Sequence, residues 1–221
     1  NDNGKITKQN CKNGCIGWYR RARATKLYTR RTKEMKRINE IFYSLQGEGR
    51  NMGRAAIFVR FSGCNLKCSF CDTDFASYEQ LDDEEILRRI SNFPSRFVVL
   101  TGGEPSLQVD SAFIDLLHAN GYELAMETNG THLIADGIDW ITCSPKGQTV
   151  IKKCNELKCI FEESTTTPDD HGIEADYKYL QPCDVQDAER NAQIVKRCFD
   201  YILEHPEWRL SLQTHKLVGF K

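Results

Sequence analysis

From Ala55 onward, apolar runs alternate with polar turns, and helical patterns follow several of them. AAIFVRF (Ala55–Phe61) is an apolar run with one charged interruption, Arg60, and predicts a buried strand. RFVVLTGGE (96–104) predicts a strand that ends at a glycine pair. YELAMETNG (122–130), DWITCSPK (139–146), ELKCIFE (156–162), YKYLQPCD (177–184) and WRLSLQTHK (208–216) predict further strands. DDEEILRRI (82–90) places acids at a helix start and Ile86, Leu87 and Ile90 on one face. DSAFIDLLHANG (110–121) has a capping Asp and a closing Gly. A third helix over 187–204 carries Ala188, Val195, Cys198, Phe199 and Ile202 at helical spacing, a stripe that reads as core or dimer packing.

Strands alternating with helices imply an α/β fold with a parallel sheet and right-handed crossovers. Polar residues gather where the apolar runs end: TGGE, ETNG, SPK, QPCD and QTHK. In such folds the C-terminal strand ends form the ligand face. Six or seven strands are too few for a closed eight-stranded barrel. The expectation is a partial, open TIM-like (β/α) barrel with reduced outer helices, since several crossovers are short.

Length and composition are those of one globular domain: 221 residues, 40% hydrophobic and 28% charged. The net charge of -1 conceals an asymmetry, because residues 1–34 hold ten Lys/Arg against two Asp/Glu. That basic segment lacks an apolar period, so residues 1–34 are expected to lie outside the fold and 35–221 to form the functional domain. No run of eighteen apolar residues predicts a membrane span, and neither membrane nor nucleic acid is an expected partner. Ten unevenly spaced cysteines do not form a secreted disulfide framework, and a reducing cytoplasm suits them better.

Three of those cysteines share one loop, FSGCNLKCSFCDTDF, at Cys64, Cys68 and Cys71. Their spacing lets one loop wrap an iron–sulfur cubane. Four thiolates would saturate a [4Fe–4S] cluster, whereas three leave one iron open to a further ligand. Phe70 places an aromatic ring beside whatever binds there. A zinc site completed by a distant ligand, or simply buried free thiols, are the alternatives. Cys11 and Cys15 have no third partner nearby, and Cys143, Cys154, Cys159, Cys183 and Cys198 lack cluster spacing.

The CxxxCxxC loop after one strand and the GGEP turn after the next resemble the radical S-adenosylmethionine (SAM) superfamily. Six further segments sharpen this: INEIFYSLQGEG, LTGGEPSLQ, METNGT, SPK, YLQP and SLQTHK. Together with the cysteine loop they resemble the 7-carboxy-7-deazaguanine synthase family, over essentially everything after Met35. The resemblance implies conversion of 6-carboxy-5,6,7,8-tetrahydropterin to 7-carboxy-7-deazaguanine with loss of ammonia, in queuosine biosynthesis. Its implied cofactors are a [4Fe–4S] cluster, SAM and Mg²⁺. SAM, cleaved to a 5′-deoxyadenosyl radical, would abstract hydrogen from the pterin. An external one-electron reductant and a homodimer are implied as well.

Carried onto this chain, the resemblance implies that Cys64, Cys68 and Cys71 hold the cluster and that Thr73 ligates Mg²⁺, with Asp72 and Asp74 beside it. The SAM contacts it implies are Phe70, Cys71, Asp72, Gly103, Glu104, Ser144, Pro145, Lys146, Gln181, Pro182, Cys183 and Asp184, with Glu127 as a further candidate. Gly102 and Gly103 allow close backbone approach, and Glu104 offers a carboxylate to the methionyl ammonium. The implied substrate contacts are Leu45, Gln46, Gly47, Glu48, Arg60, Thr101 and His215, with Lys216 beside the last. A flat pterin carboxylate suits amide and carboxylate partners from Gln46 and Glu48. Arg60, in an apolar strand, either pairs with a nearby acid or binds an anionic ligand. A glycyl-radical activase acting on a protein partner, or a non-catalytic iron–sulfur or zinc module, are the rival functions.

Overall fold

The computed structural model describes residues 34–71 and 77–220. These belong to the compact unit Lys33–Lys221, built on one nine-stranded sheet. The strands are β1 (Lys36–Leu45), β2 (Ala55–Phe61), β3 (Glu79–Leu81), β4 (Phe97–Gly102), β5 (Glu123–Thr128), β6 (Trp140–Cys143), β7 (Lys153–Phe161), β8 (Glu174–Pro182) and β9 (Trp208–Leu210). Their spatial order is β3-β1-β2-β4-β5-β6-β7-β8-β9. Seven strands from β2 to β9 run parallel, while β1 is antiparallel to both β2 and β3. The sheet stays open, with β3 and β9 at its edges.

The helices are α1 (Asp83–Ile90), α2 (Ser111–Ala119), α3 (Ala188–Glu204) and α4 (Thr214–Val218). Local chemistry starts the first three. Asp82, Asp110 and Asp187 each accept a hydrogen bond from a backbone N–H of the helix they precede. The crossovers from β5 to β6, β6 to β7 and β7 to β8 contain no helix, so the outer layer is reduced as expected.

Strand alternation sorts the side chains into two faces. Ile57, Val59 and Phe61 of β2, Val98 and Leu100 of β4, and Leu124 and Met126 of β5 form one core with Ile86, Ile90, Phe113, Ile114 and Leu117 of α1 and α2. A second core joins Leu157, Cys159, Phe161 and Leu180 to Ile194 and Cys198 of α3. Lys36 ties the first layer together, since its ammonium reaches Asp83 at 2.5 Å and lies 4.8 Å above the Phe113 ring.

Register carries a different message to the opposite face. Phe42, Phe58, Val99, Ala125 and Trp140 pair strand to strand as one apolar row. The next inward-facing row is polar. Glu40 pairs with Arg60, Arg60 with Thr101, Glu127 with Thr142, Thr142 with Glu156, and Glu156 with Tyr177. The one polar residue that interrupts AAIFVRF therefore belongs to a polar belt across the sheet.

Three expectations are corrected here. β1 and β3 escaped the sequence reading, because an irregular register between Ile38 and Glu40 breaks the period of β1 and β3 is only three residues long. The last strand stops at Leu210. Residues 214–218 form helix α4 instead, closed by Gly219 in the left-handed conformation (φ 72°). In α3 the buried face is Ile194 and Cys198, while Phe199 is half exposed.

Phe113 is fully buried, so Phe113→Ala is expected to cost about 3–5 kcal/mol in urea unfolding. Lys36→Met should cost only about 1–2 kcal/mol, because the stem stays packed and Asp83 is exposed enough to regain water. A larger loss for the lysine would mean that its charge, not its stem, organises the layer.

Candidate active site

The loop after β2 carries the three cysteines, and the turn after β4 packs directly on it. Gly103 N–H donates to the Phe61 carbonyl at 2.9 Å and Glu104 N–H to the Gly63 carbonyl at 2.9 Å. A methyl group on Gly103 would sit 2.0 Å from the Gly63 carbonyl oxygen, so this backbone-to-backbone approach requires glycine.

Glu104 is fully buried. Oε1 accepts from Ser106 N–H (3.2 Å), Ser106 Oγ (2.6 Å) and Thr128 Oγ1 (2.7 Å), while Oε2 accepts from Asn129 N–H (2.7 Å). With three donors on Oε1 and one on Oε2, the side chain clamps the β4 turn to the end of β5. From the same strand end, Asn129 Nδ2 donates to Asn65 Oδ1 (3.0 Å), Thr131 Oγ1 to Asn129 Oδ1 (2.6 Å) and Asn65 Nδ2 to Thr131 Oγ1 (2.9 Å). That ring of three holds the cysteine loop in place.

A cavity of about 220 Å³ opens beside this loop. Cys64, Cys68, Cys71 and Phe70 line it together with Gly103, Ser144, Lys146 and the stretch Gln181, Pro182, Cys183 and Asp184. Pro145 lines instead a neighbouring groove that shares Cys68, Phe70 and Lys146. Asp72, Thr73 and Asp74 lie outside the described residues. Burial pushes the Cys68 thiol up, against the pull of the Lys146 ammonium. Burial, and then Lys158, lower Lys146. Cys64 Sγ accepts from Leu66 N–H at 3.4 Å. Three loop thiols facing one cavity, with an N–H donor and a nearby cation, fit a cluster with three protein ligands. Among the described residues no three Cys, His, Asp or Glu side chains converge on a single ion. A cubane spreads its thiolates over separate irons and needs no such convergence. Cys143, Cys159 and Cys198 are buried thiols pushed up to about 12 by desolvation, which makes them inert packing groups.

A larger cavity of about 670 Å³ adjoins it, and Thr101, Gly102, Glu127, Gln213 and Lys216 line both. Leu45, Gln46, Gly47, Glu48, Arg60, Thr101 and His215 all line this second cavity. Its walls include Phe42 and Phe58, stacked with centroids 4.8 Å apart. Arg60 does what a charge on an apolar strand must: its Nε donates to Glu40 at 2.9 Å on the cavity wall.

The LQGEG segment reaches this cavity from an unexpected direction. It joins the end of β1 to the start of β2, at the opposite strand end from the cysteine loop, and folds over the polar belt of the sheet. Gln46 Nε2 donates to Glu127 Oε1 at 3.0 Å, and Arg50 N–H donates to Glu156 at 2.9 Å. Gly49 has φ 64°, and a Cβ there would collide with the Glu156 carboxylate at 1.9 Å. Helix α4 covers the hairpin, since Thr214 N–H and Oγ1 both donate to the Gly47 carbonyl, at 3.1 and 2.7 Å. Lys158 and Gln213 line the cavities and Glu156 and Ser211 hold the hairpin, four residues that no sequence motif singles out. A charged residue inside an apolar strand, the signal that marked Arg60, would have found Lys158 too.

The comparisons agree with this geometry. The family model of the radical SAM superfamily matches residues 58–149, the span from β2 through the cysteine loop to the turn after β6. Sheet, cysteine loop and paired cavities thus define a radical SAM enzyme. Among its relatives is 7-carboxy-7-deazaguanine synthase of Bacteroides thetaiotaomicron, 46% identical over 85% of this chain and 100% of that protein. The protein of the same name from Bradyrhizobium diazoefficiens is 43% identical over 83% of this chain and 98% of that one. The crystal structure of QueE from Escherichia coli superposes with a TM-score of 0.66 at 29% identity, covering 82% of this chain and 95% of that chain. The chain belongs to the 7-carboxy-7-deazaguanine synthase family.

Glu104→Gln keeps the shape but turns an amide N–H₂ toward donors. It is expected to destabilise the protein by about 1.5–3 kcal/mol in equilibrium unfolding. An unchanged unfolding midpoint would show that the carboxylate is not the clamp.

Proposed function

We propose that this chain converts 6-carboxy-5,6,7,8-tetrahydropterin to 7-carboxy-7-deazaguanine with release of ammonia. The observation that carries this reading is the shared wall of Thr101, Gly102 and Glu127 between the cysteine-lined cavity and the aromatic-walled one. A flat heterocycle seated against Phe42 and Phe58 meets acceptors at Glu48 and Glu127 and cationic groups at Arg60 and Lys216. Those partners match a cyclic guanidine edge and a carboxylate respectively.

The residues fitted to the cluster are Cys64, Cys68 and Cys71. Ser144, Lys146 and the Gln181–Asp184 stretch are the proposed SAM contacts. Bound together, these cofactors supply an organic radical able to take hydrogen from an unactivated C–H bond. The protein's part is placement and exclusion of water. Thr101 Oγ1 donates to Glu127 Oε2 at 3.0 Å and Gln46 holds Oε1, so Glu127 stands oriented at the boundary where the two ligands meet. Thr73 is the proposed Mg²⁺ ligand, with substrate oxygens and water completing the coordination. An external one-electron reductant and a second copy of the chain are the proposed partners. Residues 1–34 are proposed to lie outside the catalytic unit.

The test is anaerobic incubation of the cluster-reconstituted protein with SAM, reductant, Mg²⁺ and carboxy-tetrahydropterin. Formation of 5′-deoxyadenosine together with 7-carboxy-7-deazaguanine is expected. Deoxyadenosine without the deazapurine would reject the substrate, and absence of both would reject the chemistry. Cys68→Ala should abolish turnover. Omitting Mg²⁺ should slow deazapurine formation; an unchanged rate would remove the metal from the reading. Removal of residues 1–34 should leave the rate unchanged, and a large loss would place that segment in the catalytic unit.

A further inference from the structure

Lys158 belongs to no sequence motif, yet it is the charged centre of β7. It is 5% exposed, and its neighbours Leu157 and Cys159 point into the α3 core. A charge so placed is costly unless it is paired. Its ammonium pairs with Glu48 Oε2, 110 residues away in sequence. Glu48 Oε1 accepts from Gln213 Nε2 at 3.1 Å and from Gln181 Nε2 at 3.3 Å. Ser211 sets the direction of the Gln181 amide by donating to its Oε1 at 3.1 Å, and Ser211 Oγ in turn accepts Gly49 N–H at 3.1 Å. Three donors from three parts of the chain therefore hold one carboxylate at the cavity wall. A carboxylate has about four acceptor sites, which leaves about one for a ligand.

We infer that Lys158 is a positioning residue for the substrate, holding the Glu48 carboxylate as acceptor for an N–H of a cyclic guanidine edge. The inference rests on the proposed function, because it takes the pterin as the molecule that meets Glu48. The charged groups around the pair are Glu127 from β5, Glu156 from β7, His215 from α4 and Lys146 from the turn after β6. Burial raises Glu156 toward its neutral form. Burial would raise Glu48 as well, but Lys158, Gln213 and His215 outweigh it and hold that carboxyl below its ordinary value. Without Lys158, Glu48 would face Glu127 and Glu156 with no direct cationic partner. It would take up a proton and present an O–H to a substrate N–H.

The sign follows from that exchange. Glu48 is lowered, so its acceptor state persists to low pH in the native protein and is lost at higher pH when Lys158 is absent. The experiment compares native holoenzyme, Lys158→Met, Glu48→Gln and the double variant across pH, with carboxy-tetrahydropterin as the varied substrate. Lys158→Met is expected to raise KM about 30-fold or more with kcat little changed. Its acid limb of kcat/KM should move up by about one pH unit or more. The double variant removes both charges, leaves neither unpaired, and should match Glu48→Gln alone. If Lys158→Met fails to fold, the double variant decides. A KM equal to that of Glu48→Gln supports the inference, and a further multiplicative loss overturns it. An unmoved KM and acid limb in folded Lys158→Met also overturn it. Native enzyme that makes no deazapurine would overturn the proposed function, and this substrate with it; active native enzyme with an unaffected variant overturns the inference alone.

Discussion

The site depends on charge buried on the polar-belt face of an open sheet. Lys158 and Glu48 are 5–13% exposed by side chain or residue, and desolvation of both must be offset by their mutual attraction and by the Gln181 and Gln213 amides. That requirement brings the β1–β2 hairpin, β7, β8 and the segment after β9 to one point. Glu156, accepting from Arg50 N–H at the next inward position, pins the same hairpin a second time. The wall of the larger cavity is thus supported by one ion pair and by hydrogen bonds between residues up to 165 positions apart.

A second buried carboxylate does comparable work beside the cysteine loop. Glu104 satisfies donors from Ser106, Thr128 and Asn129, and Asn129 continues the chain to Asn65 beside the first cysteine. The cysteine loop is therefore referenced to two adjacent strand ends and not only to its own. Because Glu127 of β5 lies on the wall common to both cavities, strand register sets the relation between them. A one-residue slip in β5 would turn Glu127 into the apolar layer and Met126 into the cavity.

Several parts of this arrangement were visible in the linear chain. The apolar runs located seven parallel strands, one of them to the residue, because a strand buried on both faces needs continuous apolar character. Acids at a helix start, a capping Asp110 and apolar residues at helical spacing located α1, α2 and α3. Arg60 stood out because an ionised group in an apolar run must meet a partner, and Glu40 is that partner. β1 was not visible, since its register shift removes the alternation that would mark it. Nor was α4, whose five residues form a short cap over the hairpin and carry no amphipathic pattern.

By itself, the sequence determined the chemistry that local spacing can encode: three thiols in one loop, a glycine pair next to them, and the strand and helix periods. It also carried the family membership, which rests on residue identity over most of the chain. Only the tertiary structure decided which polar side chains reach a ligand cavity and which are consumed inside. Glu104 and Glu48 look alike in sequence, each a carboxylate in a glycine-rich turn. The first is fully buried with its four donors all within 25 positions, and the second lies at a cavity wall with three donors from distant segments. Their donors come from residues up to 165 positions away, so no local pattern contains them. Hydrogen-bond satisfaction is a property of the assembled interior, and it is there that the roles of these residues are set.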